Sequence, residues 1–328
     1  MNHPTTLGID FGGTSIKFGI VQDGRIIKRG NVPPTRQDGE IEPLIGSIVD
    51  EILRLKQEYP ALQAVGFGVP GIIDPAEGVV VNLTNVKGWN RIPLRALVSA
   101  RIGLVTNLEN DAKAMAYAEW KYGAGQNLPN VICVTLGTGI GGGLILNGRL
   151  FRGSTKVAGE IGQTSIDYQG KDFVYGNKGA LEAYVGHVNI SGRAKEIYAQ
   201  AGKAISDEEA DLRQLAAAAN AGDPLAKQLW DDIGLKLGVG LINAIWLVNP
   251  DRIVLGGGVA KCGDLLFQRI WRTIESRCER TFWEKLEIVP ATLGNDAGII
   301  GAAALALESE FVTPWKRGKR KQIGKNLR

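Results

Sequence analysis

Three stretches of glycine and hydroxyl residues, each ending or interrupting an apolar run, are the parts of this sequence best suited to holding an anion. They are Asp10-Phe11-Gly12-Gly13-Thr14-Ser15-Ile16-Lys17, Leu136-Gly137-Thr138-Gly139-Ile140-Gly141-Gly142-Gly143 and Gly256-Gly257-Gly258. A residue without Cβ lets main-chain N–H groups approach a phosphate, Thr14 adds a hydroxyl donor, and Asp10 is placed to hold water around a magnesium ion. One such loop is as often a plain hairpin turn. Three would be a costly coincidence, because an interior glycine destabilises by about 0.5–1 kcal/mol. None is a GxxxxGK[ST] loop and no strand-to-helix GxGxxG follows, so P-loop and Rossmann units are not expected. A further candidate is Asn110-Asp111 at a strand end. Asp111 is able to accept a hydroxyl proton and Asn110 to give and take hydrogen bonds, but the pair is equally suited to capping the following helix.

These loops need strands and helices to carry them. TLGIDFGGTSIKFGIVQDGRIIKRGNV reads as strands joined by a glycine loop and an Asp23-Gly24 turn, and PNVICVTLGTGIGGGLILNGRLFRG repeats the arrangement with its turn at Asn147-Gly148. Two similar units predict an internally duplicated fold. Residues 40–58 place Leu44, Ile48, Ile52 and Leu55 at helical spacing, and Ala64–Val69 reads as a buried strand ending at Pro70-Gly71. A helix is expected after Asn110, helical pattern from 207 to 248 stopping at Asn249-Pro250, a buried strand in DRIVLGGGVA, and a last Ala/Gly/Ile-rich helix suited to close packing between the halves.

The chain has 328 residues and a mass of 35.2 kDa, more than one core usually supports, so two domains or a deeply cleft one are expected. With 44% hydrophobic and 22% charged residues it is neither disordered nor membranous in composition, and no apolar run approaches the ~18 residues of a membrane span. Cys133, Cys262 and Cys278 are widely spaced with no CxxC pair, which argues against a disulfide framework or a cysteine zinc site and for a reducing, cytoplasmic setting. The net charge of +4 comes from residues 314–328; without them 31 Lys and Arg face 34 Asp and Glu, a balance of −3. The body is mildly acidic and gives no general case for binding nucleic acid, while the tail reads as a disordered, solubilising end.

In their order and over nearly the whole chain, DFGGT, LGTGIGGG and LGGGVA resemble the two phosphate motifs and the adenosine motif of the ROK family of sugar kinases. GVPG at 68–71 and NVKGW at 85–89 resemble its sugar-side loops, and ENDA at 109–112 its catalytic motif. The resemblance implies a duplicated actin-like, hexokinase-like (ribonuclease H-like) α/β ATPase fold, two domains around a cleft. Residues 1–112 with 296–314 would form the smaller domain, 113–295 the larger, and 315–328 the tail. It implies transfer of the γ-phosphoryl of ATP to a hexose, the 6-hydroxyl of glucose foremost, with Asp111 as general base and magnesium held by Asp10 through water. Gly12, Gly13, Thr14, Lys17, Gly137, Thr138, Gly139, Gly256, Gly257 and Gly258 would hold the nucleotide. Gly71, Asn85, Asn110, Asp111, Glu160, Gln163 and Glu182 would hold the sugar.

Two departures from the family pattern matter. Gln163 stands in GEIGQ where the family has the histidine that bridges sugar and zinc, and Phe173, Tyr175 and Ala180 stand at the family's three cysteine positions, whereas Gly176, Gly179 and Glu182 keep its pattern. A zinc-free site is expected, with Phe173 and Tyr175 packing where the metal would have pinned the loop. His187, following Glu182, is expected to be structural or on the surface, Trp230 and Trp246 to be core, and Trp89 is left between core and sugar stacking. The family's repressors carry an N-terminal helix-turn-helix, and with about six residues before the first strand a repressor is not expected. Alternatives retained are a polyphosphate donor, to which the basic tail is suited, and fructose or an N-acetylhexosamine as acceptor. No membrane or nucleic-acid partner is expected, and a homodimer is compatible with the resemblance.

Overall fold

The computed structural model describes residues 4–12, 15–30, 41–83 and 88–308. Gly13, Thr14, Asn85 and the tail lie outside the described residues, as does the side chain of Tyr175.

The first half builds one five-stranded sheet. β1 (Thr5–Phe11), β2 (Ile16–Gln22) and β3 (Arg25–Arg29) run antiparallel, α1 (Ile41–Glu58) crosses over, and β4 (Leu62–Val69) pairs parallel with β1. A small antiparallel sheet follows in β5 (Ile72–Asp74), β6 (Val79–Asn82) and β7 (Asn90–Ile92); α2 (Leu94–Ile102) then leads to β8 (Val105–Asn110), parallel to β4. The order is β3-β2-β1-β4-β8. After α3 (Asp111–Tyr122) the plan repeats: β9 (Val131–Leu136), β10 (Ile140–Leu146) and β11 (Arg149–Phe151) run antiparallel. Then α4 (Glu182–Val185), α5 (His187–Gln200), α6 (Leu212–Asn220) and α7 (Pro224–Val248) precede β12 (Arg252–Gly256), α8 (Asp264–Arg277), β13 (Glu287–Pro290) and α9 (Ala297–Leu305). The second order, β11-β10-β9-β12-β13, matches the first strand for strand. Asp23-Gly24 and Asn147-Gly148 close the equivalent hairpins, all four with φ between 47° and 71° as a type I′ turn requires.

Alternation along the strands decides what covers each face. In β1, Leu7, Ile9 and Phe11 enter a core shared with Leu44, Ile48, Ile52 and Leu55 of α1, so Gly8 and Asp10 point the other way. There α9 lies directly on the sheet: a Cβ at Gly8 would sit 1.9 Å from the Ile299 carbonyl oxygen, and one at Gly66 1.8 Å from that of Ala302. In the second half α3 lies on β10, where Cβ atoms at Gly141 and Gly143 would meet Ala112 and Ala116 at 2.6 and 2.3 Å. Each half's last helix therefore packs on the other half's sheet, and the two helices touch where a Cβ at Gly301 would be 1.8 Å from the Ala114 carbonyl oxygen. The outer face of the second sheet is buried under α5–α8, with Trp230 at the centre.

Two expectations need correction. The helical pattern over 207–248 is broken by Gly222, whose φ of 103° ends α6, and by Asp223, which caps α7 by accepting from the N–H groups of Leu225 and Ala226 before Pro224. Trp246 is not core: α7 overruns its sheet, leaving Trp246 46% and Leu247 85% exposed, with the Trp246 ring 4.3 Å from that of Phe282. Trp89 is core, 2% exposed and packed on Phe11.

The close approach of α9 to the first sheet predicts a sharp contrast between two glycines. Gly66→Ala is expected to cost about 3 kcal/mol by urea unfolding, since a backbone carbonyl must move. Gly46→Ala, in an open position of α1, is expected to stabilise by about 0.5–1 kcal/mol. Equal effects would contradict the packing described.

Candidate active site

The duplicated sheets present their hairpin turns to one cleft of about 1160 Å³. Asp10, Lys17, Gly71, Asn110, Asp111, Gly137, Thr138, Gly139, Glu160, Gln163, Glu182, Gly256, Gly257 and Gly258 all line it. Residues from Asp10 to Gly258 are thus brought together by the topology. Gly12 and Gly137 close their turns, donating to the Ser15 and Gly139 carbonyls at 2.9 Å, so these two amides shape the loops rather than point at a ligand. Gly257, with φ 88°, tucks its α-carbon against the end of β9, where a Cβ would lie 2.3 Å from the Leu136 carbonyl oxygen.

Asp111 is the first residue of α3. The capping role falls to Asn110, whose Oδ1 accepts from Lys113 N–H at 3.2 Å while its Nδ2 donates to the Gly71 carbonyl at 3.2 Å. Much of the Asn110 amide is therefore spent on the fold, and Asp111 is left to the cleft with its Oδ1 accepting from Ala112 N–H at 2.8 Å. Burial raises the Asp111 carboxyl above its ordinary range; the Ala112 N–H opposes this and the charge of Asp10 adds to it. Asp10 is also raised by burial, against the pull of Lys17, whose Nζ is 3.5 Å from Oδ2. Its carboxyl lies against Gly298 at the start of α9, where a Cβ would meet Cγ at 2.8 Å. A desolvated carboxylate with so long an ion pair fits a hydrated magnesium ion.

On the other wall, Glu182 accepts from Ile140 N–H at 2.6 Å and lies against Gly139, which ties it to the glycine loop as well as to the cleft. The backbone N–H of His187 donates to the Gly137 carbonyl at 3.0 Å, so this residue supports the same loop through its main chain. Gln163 Oε1 is buried without a hydrogen-bond partner among the described residues, an acceptor that a ligand hydroxyl would satisfy.

Phe173 does not pin the loop from 163 to 182 as expected, and the Tyr175 side chain lies outside the described residues; the apolar anchors of the loop are Ile166, Ala180 and Leu181. Phe173 is only half-buried and stays outside the core, while Asn177 Nδ2 donates to the Gln163 carbonyl at 2.6 Å, Ser165 Oγ to that of Lys178 at 2.8 Å, and Phe173 N–H to that of Asn177 at 2.8 Å. An open, solvated loop gains little from an aromatic ring, whereas its backbone groups must find partners. The side chains at 163, 173, 175 and 180 include no thiolate or imidazole and do not fit zinc.

Three groups escaped the sequence reading. Lys113 is buried beside Asp111, Glu109 forms a buried ion pair with Arg152 Nε at 2.6 Å, and Glu119 at the far end of α3 is buried too. Glu119 Oε1 accepts from Leu293 N–H at 2.8 Å and Oε2 from Thr292 N–H at 3.2 Å and Ala124 N–H at 3.0 Å, fastening α3 to the loop before α9. For Lys113 and Glu119 the hint in sequence is their setting, charged residues within the small-residue run DAKAMAYAEW; Glu109 lies outside that run.

Residues 6–309 match the ROK family. The glucokinase of Streptomyces coelicolor is 33% identical over 93% of this chain and 98% of its own length. A putative xylose repressor of a Caldicellulosiruptor species is 27% identical over 94% of this chain and 79% of its own length. The crystal structure of a ROK family glucokinase from Streptomyces griseus in complex with glucose and AMPPNP superposes with a TM-score of 0.76 at 31% identity, covering 92% of this chain and 99% of that one. The fold is the duplicated actin-like, hexokinase-like one, two α/β domains around a cleft.

The hydrogen-bonded loop generates a test. Metal analysis of the purified protein is expected to return no zinc, and Asn177→Ala is expected to lose about 1–2 kcal/mol of stability in thermal unfolding, unchanged by added zinc. Stoichiometric zinc in the native protein would overturn this account of the loop.

Proposed function

The chain belongs to the ROK family, and from that premise we propose that it is an ATP-dependent hexose kinase acting on the 6-hydroxyl of glucose or a closely related hexose. The observation that carries this reading is a cleft lined at once by a half-buried carboxylate, Asp111, by the glycine loops and by the polar side chains of Glu160, Gln163 and Glu182. The glucokinase relative and the complex with glucose and AMPPNP support it.

In this reading the hexose hydroxyls bind Asn110, Glu160, Gln163 and Glu182, with Gly71 and Asn85 completing the pocket. The loops at 12–14 and 137–139, with Lys17, hold the phosphates, and Gly256–Gly258 receive the adenosine. Ala112 N–H fixes one Asp111 oxygen, and the other accepts the hydroxyl proton as the sugar oxygen attacks the γ-phosphorus and ADP leaves. Magnesium, held by Asp10 through water, neutralises phosphate charge when bound. Closing of a unit of residues 1–112 with 296–314 onto one of 113–295 excludes water, the competing nucleophile.

A coupled ADP-release assay with ATP and magnesium across glucose, mannose, fructose, N-acetylglucosamine and N-acetylmannosamine tests the reading. Activity with one hexose is expected, and Asp111→Asn is expected to lower kcat by ~10²–10⁴ while hexose binding persists. Full activity in that variant would remove Asp111 as the base, whereas sugar binding by the wild-type protein without ADP release would transfer the reading to another donor, polyphosphate first, or to a sugar sensor.

The same assay against pH gives an independent check. Asp111 must be ionised to accept a proton, and its carboxyl is raised, so kcat/KM is expected to rise with pH through a step above the ordinary aspartate range. The sign for stability is opposite: in the window between the unfolded and the raised folded value the native state holds the extra proton, so stability falls as pH rises. An acid limb at or below the ordinary aspartate value would remove Asp111 as the base.

A further inference from the structure

Lys113 is a buried ammonium that the reaction just described does not use. It is 2% exposed, on the first turn of α3 two residues after Asp111, and lines the cleft. Its α-carbon lies against β10, where a Cβ at Gly143 would come within 3.3 Å. Its Nζ donates to the Lys156 carbonyl at 3.1 Å, and among the described residues no carboxylate lies within ion-pair distance of it. Burying an ammonium against one neutral carbonyl is unfavourable, and a methionine would fill similar space without that penalty. An amine kept there needs a use for its charge or its donor.

The acceptor shows where that use lies. Lys156 has φ 69°, a left-handed backbone that a non-glycine residue adopts only when its surroundings hold it. It sits in a turn whose first residue, Arg152, is fastened to Glu109, and Ala158 N–H returns to the Arg152 carbonyl at 3.0 Å. Beyond it, Gly159, with φ 95°, packs on Gly142, and the chain delivers Glu160 to the cleft. The turn that presents Glu160 is therefore anchored at Arg152 and at Lys156, both times to the β8–α3 junction that carries Asp111. Burial lowers Lys113, while Glu109 and then Glu160 favour its charged form; Arg152 opposes that form and Asp111 supports it. Reciprocally, Lys113 opposes the rise of Glu160.

We infer that Lys113 is a positioning residue for the hexose: by pinning the Lys156 carbonyl it fixes the 152–160 turn, so that Glu160 is held ready across from Asp111. This deepens the hexose-kinase reading and rests on it. Because the turn belongs to the sugar wall and not to the nucleotide loops, loss of the pin should act on one substrate only.

Lys113→Met removes the donor and keeps the volume; Lys113→Arg keeps charge and donors; Lys113→Gln keeps a donor without charge and serves if the methionine variant does not fold. Folding is checked by circular dichroism and melting, and KM for hexose, KM for ATP, kcat and direct hexose binding by calorimetry are read for each. In Lys113→Met we expect hexose KM and Kd to rise roughly ten-fold or more with ATP KM within about two-fold, the glutamine variant to fall between, and arginine to recover part of the loss. An unchanged hexose Kd in a folded methionine or glutamine variant, or equal rises for both substrates, overturns the inference. A wild-type protein that phosphorylates no hexose removes the premise itself, which the parallel wild-type assay reports separately.

Discussion

Everything in this molecule hangs on a contact with no side chain in it. The Ala114 carbonyl of α3 occupies the space where residue 301 of α9 would otherwise carry its Cβ. The same intimacy recurs where α9 meets β1 and β4 at Gly8 and Gly66 and where α3 meets β10 at Gly141 and Gly143. Two sheets and two helices are thus stacked at backbone distance, and close packing of this kind transmits displacement rather than absorbing it. The N-terminal ends of α3 and α9 must then converge. Asp111 begins one helix, Asp10 is pressed against the second residue of the other, and the cleft is what remains between them.

That floor concentrates charge where water is scarce. Asp10, Glu109, Lys113 and Glu119 are all buried on or beside the α3 helix or the strands it packs on. Buried charges of this kind are weak devices for stability, since desolvation offsets most of the Coulombic gain. Their arrangement is better understood as positional. Glu119 ties one end of α3 to the segment at Thr292 and Leu293, and Glu109 with Arg152 ties the other end to the turn that delivers Glu160. A twelve-residue helix spans about 18 Å at 1.5 Å per residue, so one rigid rod references both the cleft wall that carries Glu160 and the segment leading into α9 to the same carboxylate.

The fold was legible in sequence because its signals are local and repeated. Alternation in TLGIDF and VICVTL, turns at Asp23-Gly24 and Asn147-Gly148, and the αL stop at Asn249 each follow from backbone preferences that few residues satisfy. The cleft residues were legible only as motifs in order; residue types left Asn110-Asp111 undecided between cap and base, and the structure divides those roles between the two residues. Trp246 was misjudged because helical periodicity registers apolar content and not where a long helix outruns its sheet. The polar pinning of the 163–182 loop was missed because it is made mostly by main-chain groups, which every residue carries and no composition reveals.

Duplication also bears on why the two aspartates of the cleft, Asp10 and Asp111, stand in non-equivalent positions of the two halves. The second sheet repeats the first strand for strand, so each feature of one half has a counterpart in the other. Opposite Asp10, next to last in β1, stands Thr135, next to last in β9, and where Asp10 packs on Gly298 of α9, Thr135 shares the space around Gly141 with Ala112 of α3. The counterpart of the β8–α3 junction is the approach to α9, whose Asp296 is turned to Arg29 and accepts both carboxylate contacts at 2.8 Å on the surface. Two carboxylates facing one phosphate would repel it and each other, and each would be driven to hold its proton. Neutralising one position with threonine and drawing the other away with arginine leaves Asp10 and Asp111 as an unlike pair from a symmetric scaffold. In the hexose-kinase reading proposed above, the asymmetry that a phosphoryl transfer requires, with a cation near the leaving side and a base near the attacking oxygen, would be obtained by changing side chains on a backbone that stays duplicated.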